Sequence, residues 1–113
     1  MTTSGEDLPR RGEVWWVRVD KRRPAAVVQT DKVLDPRVRS FLVVPLTSRL
    51  HLEGLPGNVR LDRRDTNLPK ASVANVYDVQ KVLRVDFDAR LGRLPNERLG
   101  AVDDGLRLVL DLA

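Results

Sequence analysis

At 113 residues, with 42% apolar and 32% charged residues, the chain has the size and composition of one globular domain with a single core. It contains no cysteine, which excludes disulfides and thiolate metal sites, and no apolar run near the roughly 20 residues that a membrane span requires. The net charge of +4 is unevenly placed: residues 1–85 carry 16 Lys/Arg against 10 Asp/Glu, whereas residues 86–113 carry 4 against 6. A basic body suits a polyanionic partner, and equally a merely solubilising surface.

Residues 1–9 read as a flexible, polar lead-in with no apolar signal region, so a cytoplasmic protein is expected, with one domain over residues 10–113. Residues 13–19 (EVWWVRV) form a strand, with Trp15, Val17 and Val19 on one face and Val14, Trp16 and Arg18 on the other. Residues 20–23 make a tight basic turn closed by Pro24, and residues 25–30 a short apolar strand. A polar loop with the turn signal Asp35-Pro36 follows. Residues 40–47 (SFLVVPLT) are the most hydrophobic strand, and Pro45 within it belongs at a bulge or a sheet edge, since it lacks a ladder donor.

Residues 51–58 read as a loop, 59–61 as a brief strand and 62–70 as a charged connection, before strands at 72–76 and 79–85. Five or six short strands with no helix between them predict a small barrel or a strongly curled antiparallel sheet. The pattern then changes period: Leu99, Val102, Leu106, Val109 and Leu110 recur at helical spacing, with Asn96 as N-cap. Gly100 and Gly105 weaken that helix by about 1 kcal/mol each, so it must dock against the barrel.

Few residues suggest catalysis. The single histidine, His51, reads as a loop bystander, and no metal site or cofactor is expected. The carboxylates Asp62, Asp65, Asp86, Asp88, Asp103 and Asp104 are expected in solvated positions. What remains is the Arg22-Arg23-Pro24 string, where proline biases Arg23 toward an extended backbone, and the hydroxyl pair Thr47-Ser48 at the end of the most buried strand. RNA carries its own nucleophile in the 2′-hydroxyl. Taken singly the two strings read equally as a solvated turn and a strand terminus; together, an arginine and a threonine can align that oxygen and stabilise phosphoryl charge.

The strings RRGEVWWVRVD, RRPAAVVQTD, FLVVPLTSRL and KASVANVYDVQKVLR occur in order, and ERLGAVDDGLRLVLDL closes the chain. This succession resembles the MazF/PemK toxin family over about residues 10–112. The resemblance implies an SH3-like small barrel (MazF/CcdB-like, mainly β with a C-terminal helix) that pairs into a homodimer. It also implies metal-independent, sequence-specific cleavage of single-stranded RNA, bound in a groove spanning the two subunits, to 2′,3′-cyclic phosphate and 5′-hydroxyl ends, and an antitoxin whose C-terminal tail fills the same groove. Carried over by position, Arg23 and Thr47 are the catalytic pair, with Lys21, Arg22, Ser48, Arg49, Asp78, Gln80 and Trp16 around the RNA.

Three departures stand out. The loop between the first two strands is only Asp20-Lys21-Arg22, shorter than usual in the family. Asp78 and Gln80 stand where many members have Gln and Arg, so Asp78 is open as a base, an RNA-repelling charge or a loop residue. Trp16 is open as a stacking platform or a packing residue. Two other readings stay open at this level: a CcdB-like gyrase-binding toxin, and a non-catalytic small-barrel RNA-binding module.

Overall fold

The computed structural model describes residues 8–33 and 35–113; the lead-in expected over residues 1–9 falls outside them except for Leu8 and Pro9, and Pro9 is buried. The strands are β1 (Glu13–Arg18), β2 (Arg22–Val27), β3 (Ser40–Thr47), β4 (Val59–Leu61), β5 (Ser72–Ala74), β6 (Gln80–Leu83) and β7 (Phe87–Arg93). Two helices join them, α1 (Arg63–Thr66) and α2 (Asn96–Val109), with single 3₁₀ turns at Leu50–Gly54, Val76–Asp78 and Arg84–Asp86. No helix among the described residues is long and apolar enough to cross a membrane.

The antiparallel order is β4-β5-β3-β2-β1-β7, with β6 also paired to β3. One edge of β3 meets β2; the other meets β6 through residues 40–43 and β5 through Leu46 and Thr47. Pro45 lies where β3 changes partners, as its missing N–H requires. This is the SH3-like small barrel, though its ladder is not closed by strand pairing: the Asn67 side chain after α1 reaches the Leu91 carbonyl of β7 at 2.8 Å instead.

Both faces of the central strands are buried, and the alternation along β1 sorts its side chains between two clusters. Val14 joins Ala26, Val44, Leu46, Leu61, Leu94, Leu99 and Val102 beneath α2. Trp15 and Val17 join Ala25, Val27, Val43, Val82 and Phe87 on the other face, where Phe87 meets Trp15 and Phe41 edge to face. Val19 lies beyond β1 and is exposed.

Several expectations need correction. Strand β7 lies beyond residue 85, where the β region was expected to finish. Its sequence FDARLGR offers only Phe87 as a fully buried residue, yet it covers the free edge of β1 through a register interrupted twice. Strand β2 begins at Arg22, because the hairpin pairs Arg18 with Arg22 and Trp16 with Pro24. The cap of α2 is Pro95, with Asn96 as its first residue and no side-chain cap. Nor are the carboxylates all solvated: Asp65 is 7% exposed, accepts the Asp62 N–H at 2.8 Å and pairs with Arg98, while Asp103 pairs with Arg11. Helix α1 was not foreseen, since four residues carry no period.

The R-G-E string proves architectural. Gly12 has a positive φ of 88°, and an added Cβ there would press on Leu99 and Arg93. Glu13 is 8% exposed, and its carboxylate gathers the Arg10 N–H, the Trp15 indole N–H and the Arg90 guanidinium.

Candidate functional site

Antiparallel pairing places Ala25 of β2 opposite Pro45 of β3. That pair is the last of the ladder, and Arg23 and Thr47 each lie two residues beyond it on their own strands. Both line a concavity of about 770 Å³, and so do Trp16, Lys21, Arg22, Ser48, Arg49, Asp78 and Gln80. Every residue nominated from the sequence therefore reaches one groove. The 19–21 hairpin, the end of β3, residues 68–72 and the turn leading into β6 form its walls.

Arg23 is half-buried, and its Nε and Nη2 donate to the two carboxylate oxygens of Asp20 at 2.9 and 3.0 Å. That contact pushes the Asp20 carboxyl well below the usual carboxylate range. The same hydrogen bond raises the Arg23 pKa, with Asp78 adding a smaller charge attraction across the groove. Arg22 departs in another direction. Its Nε donates to Asp88 at 2.8 Å, and its guanidinium lies 4.5 Å from the centroid of the Trp16 ring. Trp16 is half-buried and packs on the core beneath α2.

The Thr47 hydroxyl oxygen accepts the Arg49 N–H at 3.2 Å, which turns the chain at the end of β3 and leaves the hydroxyl proton to donate into the groove. Ser48, Arg49, Lys21 and Asp78 are exposed along the rim, and Gln80 is half-buried at the start of β6. His51 is exposed and outside the groove lining. Among the described residues no group of three or more His, Cys, Asp or Glu is placed to hold a metal.

Four polar groove residues were not nominated from the sequence: Asp20, Lys70, Ser72 and Asn75. An aspartate three residues before an arginine across a tight turn was a readable signal for the first. Asn75 accepts the Tyr77 N–H at 3.3 Å and so caps the turn that presents Asp78. Ser72 is 3% exposed, and its hydroxyl has no hydrogen-bond partner among the described residues.

The family described as PemK-like, MazF-like toxin of type II toxin-antitoxin system matches residues 10–110. An endoribonuclease MazF2 of Mycobacterium bovis is 36% identical, spanning 90% of this chain and 96% of that protein. A probable endoribonuclease MazF5 of Mycobacterium tuberculosis is also 36% identical, spanning 92% of this chain and 94% of its own length. Among solved structures, the Mycobacterium tuberculosis toxin MazF-mt6 superposes with a TM-score of 0.77 at 24% identity, over 89% of this chain and 98% of that one. A mycobacterial endoribonuclease in complex with its cognate antitoxin gives 0.76 at 18% identity, over 94% and 96% of the two chains.

Proposed function

The chain belongs to the PemK-like, MazF-like toxins of type II toxin-antitoxin systems, and from that premise we propose that it is a metal-independent, sequence-specific endoribonuclease acting on single-stranded RNA in the cytoplasm. The observation that carries this reading is that Arg23 and Thr47, on neighbouring strands, line one basic-rimmed groove. The gyrase-binding alternative gives that pair no task, and a non-catalytic RNA-binding module would leave RNA intact.

The chemistry is transphosphorylation. The 2′-oxygen attacks the adjacent phosphorus and loses its proton, the bond to the 5′-oxygen breaks, and that oxygen takes up a proton. A 2′,3′-cyclic phosphate and a 5′-hydroxyl result, with no water consumed. Charge grows on the non-bridging oxygens as the phosphorane forms. Arg23 supplies a fixed positive charge there, and Thr47 an O–H donor, in a groove whose walls exclude part of the solvent. Lys21, Arg22, Ser48 and Arg49 provide backbone contacts, while Asp78 and Gln80 stand where base edges would pass. Because the substrate brings its own nucleophile, residues held in position are sufficient.

A groove that spans two subunits needs a dimer, and the surface offers a face for one. Beside β3 and β6 lies a second, mostly apolar concavity of about 810 Å³, where Val33, Val38, Leu83 and Val85 are exposed. Leu42, also exposed, lies on β3 outside that lining. Apolar surface of this extent on a small domain suits a second copy of the chain. The antitoxin is proposed to lay its C-terminal tail in the RNA groove. The test is incubation of the purified protein with a long, structured RNA in EDTA, followed by mapping of the new 5′ ends. Discrete 5′-hydroxyl ends lost in Arg23→Ala support the reading, and intact RNA overturns it.

A further inference from the structure

We infer that Asp20 is the positioning residue of Arg23, a role that rests on the reading of Arg23 as the phosphate-stabilising arginine. The short hairpin makes this possible. Only residues 19–21 separate β1 from β2, and the Val19 N–H closes the turn on the Lys21 carbonyl at 3.2 Å. Within the turn the Asp20 Oδ1 accepts the Lys21 N–H at 2.9 Å, so the carboxylate is itself held by the backbone. It then takes the Nε and Nη2 protons of Arg23 in a two-pronged contact at 2.9 and 3.0 Å.

The geometry divides the guanidinium between two anions. A guanidinium has five N–H donors in a fixed plane. Asp20 uses the Nε edge, which leaves both Nη1 protons and one on Nη2. These form the end-on edge, which can grip two oxygens of a phosphoryl group in the same plane. Asp20 therefore orients the arginine without exhausting it. An exposed ion pair three residues apart is ordinarily weak. What separates this one is its bidentate geometry and the anchoring of the carboxylate by Lys21. Since Arg23 depresses the Asp20 pKa, the carboxylate stays charged throughout the neutral range.

The arrangement has opposite consequences for binding and chemistry. The Asp20 charge repels an incoming phosphate, so removing it leaves RNA binding unchanged or tightens it. Removing it also frees the arginine to wander, and a misplaced charge lowers the rate of the chemical step by about 10-fold or more. A merely structural turn residue moves neither quantity, and a competitor that blocked Arg23 would make cleavage faster on removal.

The experiment compares wild type, Asp20→Asn, Asp20→Ser and Arg23→Ala. Single-turnover cleavage is measured on an oligoribonucleotide carrying the mapped site, and affinity on the same oligonucleotide with a 2′-deoxy scissile nucleotide. Circular dichroism verifies the fold. The expected result is a rate reduced about 10-fold or more in both Asp20 variants, at equal or tighter affinity, with the Arg23 Nε–H signal in a ¹⁵N–¹H spectrum moved to its free-arginine position. If Arg23→Ala is inactive while either folded Asp20 variant cleaves at the wild-type rate or faster, the positioning role is overturned. Full activity in Arg23→Ala instead overturns the assignment of Arg23 itself.

Discussion

Replacing Gly105 by alanine should destabilise the fold, although helix propensity alone favours the change. A Cβ built on Gly105 would lie 2.0 Å from the Gly57 carbonyl oxygen, 3.0 Å from its carbon and 3.2 Å from Val76 Cγ1. The opposing group is backbone, and Gly57 has a φ of 96° that few side chains tolerate, so the loop cannot simply yield. Helix α2 must therefore retreat from residues 55–58 by about an ångström. Overpacking of this kind costs up to about 3 kcal/mol, offset by about 1 kcal/mol of helix propensity. A net loss of up to about 2 kcal/mol follows, or up to roughly 8 °C in Tm for a domain of this size. Gly100 provides the control, because nothing lies within 4 Å of its added Cβ. Gly100→Ala should gain about 1 kcal/mol, roughly 4 °C. Differential scanning calorimetry of both variants reads the two signs. A Gly105→Ala protein as stable as Gly100→Ala would refute the claim that α2 docks through this close approach. The consequence reaches the site, since Asn58 ties the same loop to the backbone of Val76 at 2.9 Å and to the Asn75 side chain at 3.3 Å in the groove wall.

Four further outcomes are expected. Thr47→Ala should lose roughly 10²- to 10³-fold in cleavage rate with its fold intact, and Arg23→Lys should recover little, because an ammonium cannot grip two oxygens in a plane; single-turnover rates on a mapped RNA measure both, and near-normal rates would remove the pair from catalysis. Ser72→Ala should raise stability by about 1 kcal/mol, since it removes a buried hydroxyl that has no partner among the described residues; a lower urea midpoint would mean that the hydroxyl is satisfied in solution. Leu42→Glu combined with Val85→Asp, at positions 44% and 77% exposed, should leave a folded monomer by light scattering; an unchanged dimer would move the interface elsewhere. The pKa of Asp88 is lowered mainly by its hydrogen bond to Arg22. Its folded-state value lies below the unfolded one, so its stabilising contribution is complete above about pH 4 and disappears as pH falls through the lowered value. Stability of the wild type should therefore drop faster than that of Asp88→Asn on acidification below about pH 4, and parallel curves would show that the pair contributes nothing.

Family membership and the outline of the groove were legible in the chain because they reside in local strings. Arg23 precedes a proline and an apolar strand, and Thr47 ends the most hydrophobic strand; each string has its meaning within a few residues. Period two in EVWWVRV and period 3.6 after Pro95 were equally readable, since burial on a face leaves its mark directly on the sequence. The short hairpin was visible too, although what Asp20 does there depends on a side-chain geometry that spacing alone does not set.

Other features depended on partners far along the chain. Strand β7 is polar enough to pass for a loop, and only the free edge of β1 makes it a strand. Asp65 reads as a solvated charge until Arg98, 33 positions away, is brought beside it at 3.4 Å. Gly100 and Gly105 look alike in the sequence, five residues apart on one helix. The first faces open space and is a plain helix-weakening residue, whereas the second meets the backbone of Gly57. A sequence records the preferences of each residue for its own backbone and for apolar or aqueous surroundings. Which atom stands opposite is decided by packing, because the contacts that fill a core join residues that the chain keeps far apart.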